Sequence, residues 1–139
     1  MDTDKPLTIG RLAKRAGVGI DTVRFYERRG LLPRPERTPA GYRLYPATII
    51  DRIRFIRRAK DLGFSLDEID ALLDLQDHGG QKATVKALTQ RKLAEIDARI
   101  EDLSRMRDVL KALDRRCSGH GDVDGCPIID ALAGEEGQS

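Results

Sequence analysis

From Lys82 to Arg116 the sequence contains neither glycine nor proline, and no other feature limits the fold so strongly. A run of about 35 such residues reads as one helix, roughly 50 Å long at 1.5 Å rise per residue. A chain of 139 residues has no globular core long enough to cover it. Leu93, Ile96, Ile100, Leu103 and Leu110 follow a heptad seam broken only at Arg107, and Val85, Leu88, Met106, Val109 and Leu113 widen its apolar surface. The seam predicts a two-stranded coiled coil formed with a second copy of the chain. A helix folded back on its own domain is the alternative.

Charge is distributed unevenly around that helix. Residues 1–60 carry 15 Lys and Arg against 6 Asp and Glu, a net of +9. Residues 61–139 carry 10 against 17, a net of −7. A basic first half fits a polyanionic partner and an acidic second half is repelled by one. Aromatics are only 4% and Trp is absent, which argues against a large aromatic-lined substrate cavity. No apolar run approaches the roughly 20 residues that span a bilayer. The opening Met1-Asp2-Thr3-Asp4-Lys5 lacks the apolar stretch of a secretion signal, so a cytoplasmic protein without a membrane partner is expected.

Upstream of the long helix the signals are short and closely spaced. Thr8 caps a helix whose apolar face is Ile9, Leu12 and Ala13, and Gly17 stops it. A second helix starts at Gly19 or Asp21, turns Val23 and Phe25 inward, and ends at Gly30. Two short helices joined by a tight glycine turn make a helix-turn-helix unit. Prolines at 33, 35, 39 and 46 then forbid a helix, and Ala40-Gly41 predicts a hairpin turn between strands 34–37 and 42–45, a wing. A helix over 47–62 follows, with Ile49, Ile50, Ile53, Phe55, Ile56 and Ala59 apolar and Arg52, Arg54, Arg57, Arg58 and Lys60 basic. Gly63 breaks it. Ser65 and Glu68 form a capping box for a helix running to about Leu75, and Asp77-His78-Gly79-Gly80 reads as a linker.

Catalytic chemistry finds little support. His78 and His120 both lie in glycine-rich stretches without a serine nucleophile or a carboxylate pair at useful spacing, and no phosphate-cradling glycine motif occurs. The chain does not read as an enzyme. Binding to double-stranded DNA does find support. A second helix entering the major groove needs exposed polar and basic residues near its start, and Asp21, Thr22, Arg24 and Arg28 supply them. Tyr42, Arg43 and Tyr45 on the wing can donate to phosphate, and Tyr26, Arg57 and Lys60 complete the candidate DNA contacts. Packing of the wing is the other reading of Tyr42 and Tyr45, and a core aromatic the other reading of Tyr26.

Leu7-Thr8-Ile9-Gly10, Thr22-Val23-Arg24-Phe25-Tyr26-Glu27, Gly30-Leu31-Leu32 and Gly41-Tyr42-Arg43-Leu44-Tyr45 occur in that order. Ile53-Arg54-Phe55-Ile56 and Leu62-Gly63-Phe64-Ser65-Leu66-Asp67-Glu68-Ile69 extend the series. In these motifs the chain resembles the MerR family of transcriptional regulators over nearly its whole length. The resemblance implies a mainly α fold: winged helix-turn-helix domains paired by an antiparallel coiled coil. It also implies a homodimer on a promoter whose elements are spaced too far apart, bent and untwisted so that RNA polymerase can use it. Deforming DNA costs several kcal/mol, a term that an effector can bias by binding two protein states unequally.

Cys117 and Cys126 are the only cysteines, and the segment between them holds three glycines that let it curl. Two thiolates so close can share one soft cation. In a cytoplasmic chain a metal site or redox pair is commoner than a structural staple. Pro127-Ile128-Ile129 opens a short helix, with Ile128, Ile129 and Leu132 as an apolar lid. The loop is similar to that of the metal-sensing branch of the family. By that resemblance, sensors of divalent ions place a cysteine at the start of the dimerisation helix, and sensors of Cu(I), Ag(I) and Au(I) a non-ligand, commonly Ser. Here the position is Lys82. Two thiolates favour linear Cu(I), Ag(I) or Au(I). Hg(II) also accepts two thiolates, and the eight residues between the cysteines are closer to the mercury type. A Zn(II) site would need His120 and further ligands.

The expected organisation is therefore a DNA-binding domain over 1–76, a dimerisation helix over 81–116, a metal loop with a short helix over 117–133, and a disordered tail over 134–139. A thiol redox sensor on the same scaffold, and a structural DNA-binding protein without effector, are the competing functions.

Overall fold

The computed structural model describes residues 5–134 and divides into two compact units, one up to Thr89 and one from Gln90. Residues 1–4, expected to carry no secretion signal, and the expected tail beyond Gly134 lie outside the described residues. Helix α1 (Ile9–Ala16) begins where the Thr8 hydroxyl accepts from the Arg11 N–H and ends at Gly17, whose φ of 76° closes the last turn. Helix α2 (Ile20–Arg28) starts from Gly19 without a side-chain cap. Val23 and Tyr26 are its buried residues, three positions apart on one face. Phe25 stands exposed, which corrects the expectation that it faces inward. Two residues along a helix turn the side chain by about 200°, so Val23 and Phe25 cannot share a face.

The wing is shorter than the sequence predicts. Strand β1 (Glu36–Arg37) pairs antiparallel with β2 (Arg43–Leu44), with Glu36 opposite Leu44 and Arg37 opposite Arg43. Pro35 and Pro46 lack the N–H groups that would prolong the ladder. In the hairpin the Thr38 N–H donates to the Tyr42 carbonyl, the Gly41 N–H donates to Thr38, and the Thr38 hydroxyl accepts from the Tyr42 N–H. Tyr45 leaves the wing to exchange two backbone hydrogen bonds with Leu7, at 2.7 and 2.8 Å.

Helix α3 (Thr48–Asp61) buries Ile49, Ile50, Ile53, Ile56 and Ala59, while the predicted terminal residues Ala47 and Leu62 are its caps. Helix α4 (Leu66–His78) carries the reciprocal Ser65–Glu68 capping box. It extends three residues beyond the predicted end, so Asp77 and His78 belong to its last turn rather than to a linker. His78 Nδ1 lies 2.9 Å from Asp74 one turn earlier, and Asp77 accepts from Arg52 at 2.8 Å. These side-chain partners hold the turn that glycines 79 and 80 then break. The core of this unit joins α1 to α4 and the wing through Leu7, Leu12, Val23, Tyr26, Leu31, Tyr45, Ile53, Ile56, Ile69 and Leu73. No buried side-chain nitrogen or oxygen among the described residues lacks a partner.

Helix α5 (Lys82–Arg116) has the predicted bounds, and Leu113 is its one buried residue. Helix α6 (Pro127–Leu132) follows the cysteine loop, with Pro127 at its first position, where a missing N–H costs nothing. No α6 residue is buried, and the expected lid residues Ile129 and Leu132 are exposed. No described helix is long and apolar enough to cross a membrane.

Candidate functional site

Two groups of residues carry chemistry, one in each unit. In the first, α2 and the wing enclose an open cleft of about 610 Å³ lined by Arg24, Glu27, Arg28, Arg34, Pro35, Arg37 and Arg43. Five guanidinium groups around one carboxylate make a concave cationic surface suited to a phosphate backbone. Arg24, Arg28 and Arg43 are among the predicted contacts. Arg34 and Arg37 are not, although Arg37 lies on β1 and Arg34 just before it; their proximity to α2 depends on the hairpin folding back. Thr22 is half-buried, and Tyr42 at the wing tip is 71% exposed, placed to reach a ligand.

Two predicted DNA contacts are internal, which corrects the sequence reading. Tyr26 is 3% exposed and Tyr45 fully buried. Burial raises the Tyr26 phenol above its ordinary range. Burial, reinforced by the Glu27 carboxylate, pushes Tyr45 up to about 12. The Tyr45 hydroxyl donates to Glu27 Oε2 at 2.7 Å, and Arg43 Nη1 donates to Glu27 Oε1 at 3.1 Å. Tyr45 therefore joins wing to helix as a packed neutral phenol.

The α3 arginines are also partly engaged in the fold. Arg57 Nη1 donates to the carbonyls of Ala16 and Gly17, at 3.3 and 3.2 Å, which satisfies the C-terminal end of α1. Arg52 Nε donates to the Leu31 carbonyl at 2.7 Å while Nη1 reaches Asp77. Lys60 is exposed on the last turn of α3.

In the second unit, Cys117 and Cys126 are free and half-buried. The Ile129 and Ile128 N–H groups at the start of α6 donate to Cys126 and, with Cys117, hold its thiol below the ordinary cysteine range. Backbone donors favour the charged sulfur because its negative charge is stabilised where the helix leaves N–H groups unpaired. Glycines 119, 121 and 125, with φ of 76°, 88° and 74°, let the chain double back between the sulfurs. His120 makes a local turn with the Ser118 hydroxyl. Among the described residues no group of three His, Cys, Asp or Glu side chains is gathered to hold a metal. The site is a sulfur pair, a donor set that fits a soft ion accepting two ligands.

Leu93, Ile96, Ile100, Leu103 and Leu110 all stand exposed along α5.

Comparison with known proteins places the chain in a family. Residues 7–76 match the model of the MerR HTH family regulatory protein, and residues 50–113 match the model described as MerR, DNA binding. The mercuric resistance operon regulatory protein of Bacillus cereus is 45% identical over 125 residues, covering 89% of this chain and 95% of that protein. The crystal structure of the transcription regulator PbrR691 from Ralstonia metallidurans CH34, in complex with lead(II), aligns at a TM-score of 0.82 and 35% identity over 91% of this chain and 98% of that one. A mercury(II) complex of the Bacillus megaterium MB1 regulator aligns at 0.70 and 40% identity over 91% and 99%. The chain belongs to the MerR family of transcriptional regulators, and is a regulator rather than an enzyme.

Proposed function

We propose that this chain is a metal-responsive regulator that binds promoter DNA as a homodimer. In this reading it activates transcription when a soft metal ion is held by Cys117 and Cys126. The observation that carries the reading is the cysteine pair itself: two free cysteines nine positions apart at the ends of one glycine-rich loop, the second held toward the thiolate by backbone N–H donors. The basic cleft supplies the DNA-binding end, with Arg24, Arg28, Arg34, Arg37 and Arg43 on phosphate and the start of α2 toward the major groove. The exposed α5 seam supplies a surface for a second copy. In domain terms, residues 1–76 read DNA, 81–116 pair the chains and 117–133 sense.

The ion is assigned to the copper group, Cu(I), Ag(I) or Au(I). Two thiolates complete a linear site for a monovalent d¹⁰ ion, and the chain has no third cysteine. Hg(II) is the second reading. It too accepts two thiolates, the loop has the longer spacing, and mercury regulators are among the relatives. Zn(II) has the least support, since it favours four ligands and no such group is assembled among the described residues. Binding at the cysteines would order the loop and bias the dimer toward the state that holds promoter DNA bent and untwisted for RNA polymerase.

Transcription from the cognate promoter, followed across Cu(I), Ag(I), Hg(II) and Zn(II), tests the reading. Activation by the copper group that is lost in both Cys117→Ser and Cys126→Ser supports it. Activation by Hg(II) alone selects the second reading. Activation by peroxide without metal would replace metal sensing with a reversible disulfide. Normal activation of both serine variants by metal would overturn the sensor. His120→Ala is expected to leave a two-sulfur site unchanged.

A further inference from the structure

We infer that Glu27 is a positioning residue for DNA binding: its carboxylate clamps the wing to the recognition helix and aims Arg43 into the cleft. The inference rests on the DNA-binding part of the reading above and is independent of the metal. A carboxylate on a phosphate-binding surface is unfavourable by charge alone. Glu27 nevertheless lines the cleft beside Arg24, Arg28, Arg34, Arg37 and Arg43. Its side chain is only 11% exposed, and both oxygens are engaged from the wing. Oε1 accepts from Arg43 Nη1 at 3.1 Å and Oε2 from the Tyr45 hydroxyl at 2.7 Å.

The geometry explains the unfavourable charge. Glu27 sits in the last turn of α2, and its partners lie sixteen and eighteen residues later, on β2 and just past it. The two-stranded wing has only a two-residue ladder, too small to fix its own orientation. Tyr45 is anchored below by Leu7 and above by Glu27, so the carboxylate sets the angle between wing and helix. Arg43 is half-exposed; its guanidinium engages Glu27 and neighbours the Tyr45 hydroxyl, and its fork of five N–H donors leaves others to reach a phosphate.

Charge and position predict opposite signs, which makes the inference testable. Affinity for a duplex selected by the wild-type chain from a random pool would be measured against salt, without metal, for Glu27→Gln, Glu27→Asp and each in an Arg43→Ala background. If Glu27 acts only as a negative charge, Glu27→Gln tightens binding and Glu27→Asp changes nothing. If it positions, both weaken binding, by roughly 3- to 10-fold, and the salt slope falls by about one contact. In the Arg43→Ala background Glu27→Gln, which keeps an acceptor for Tyr45, should no longer weaken binding. Weakening of equal size with and without Arg43 would reduce Glu27 to a fold-stabilising residue and overturn the inference, as would tightening by Glu27→Gln in the wild-type background. Proton exchange at the Arg43 guanidinium, read by NMR without DNA, should be slowed in the wild-type chain and faster in Glu27→Gln. Equal exchange in both would overturn the clamp even if the wild-type chain bound no duplex, an outcome that would instead defeat the DNA-binding reading.

Discussion

The two units use their apolar residues in opposite ways. In the first, Leu12, Val23, Leu31, Tyr45, Ile53, Ile56, Ile69 and Leu73 are all essentially removed from water within one chain. Among the described residues from Gln90 onward only Leu113 is buried, and Leu93, Ile100, Leu103, Met106, Val109 and Leu110 are each more than half exposed. The first unit therefore has its own core, whereas the second leaves apolar side chains exposed along α5, a surface that the proposed dimer would cover. An exposed apolar strip of that length is costly in water and marks an interaction site. Head and tail should accordingly differ in what breaks them.

The largest effect is expected in the tail. Ile100→Asp would bury an unpaired carboxylate in the proposed seam, and sedimentation should show monomer or unfolded chain in place of dimer. A well-folded dimer would mean the seam lies elsewhere on α5. Next come truncations that set the two regions side by side. Ile53→Ala opens a cavity in a finished core and should cost about 2–5 kcal/mol whatever the protein concentration. Leu103→Ala, exposed in the single chain, should destabilise only as far as a second chain covers it. Its melting temperature should also depend on concentration. Equal, concentration-independent losses would erase the contrast between the regions.

A smaller effect concerns the cleft. Arg24→Ala should reduce the salt slope of DNA binding by about one unit and weaken affinity uniformly across sequences, as loss of a phosphate contact does. Metal stoichiometry should not change. The smallest effect is a pH effect at the end of α4. The hydrogen bond from Arg52 holds the Asp77 carboxyl below its ordinary range. A carboxyl lowered on folding contributes stability above the unfolded-chain pKa of about 3.9 and loses it as pH falls through the lowered value. Asp77→Asn should therefore lower stability near neutral pH and converge with the wild type in acid. Parallel curves at all pH values would show that the pair contributes nothing.

Local patterns were legible in the sequence where the determining partners are neighbours. Thr8, the Ser65–Glu68 box and the unbroken run from Lys82 to Arg116 all act within a turn or two, and each gives the expected element. The resemblance to the MerR family added the antiparallel sense of the expected pairing and the expected promoter geometry, not the order of those elements. What the pattern hid depends on residues far apart in the chain. Tyr45 and Arg43 meet Glu27 across the wing, and Arg57 reaches carbonyls forty and forty-one residues earlier. A tyrosine or arginine beside basic residues looks the same in sequence whether it faces phosphate or a buried carboxylate. The cysteine pair was legible as a pair because nine positions with three glycines suffice to bring two sulfurs together. The end of α4 was not, because its last turn is held by Arg52 from another helix.

The proposed separation of a self-contained DNA-binding head from a sensing tail is tested most directly by measuring two affinities on one protein. Cys126→Ser would be titrated with Ag(I) and, separately, with the selected duplex, beside the wild-type chain. The account predicts that Ag(I) binding is lost, because a hydroxyl is a hard and largely protonated replacement for a thiolate. Duplex affinity without metal should stay within about twofold, since the cleft between α2 and the wing is built entirely from residues before Gln90. A variant that loses duplex affinity together with Ag(I), or keeps both, would contradict it.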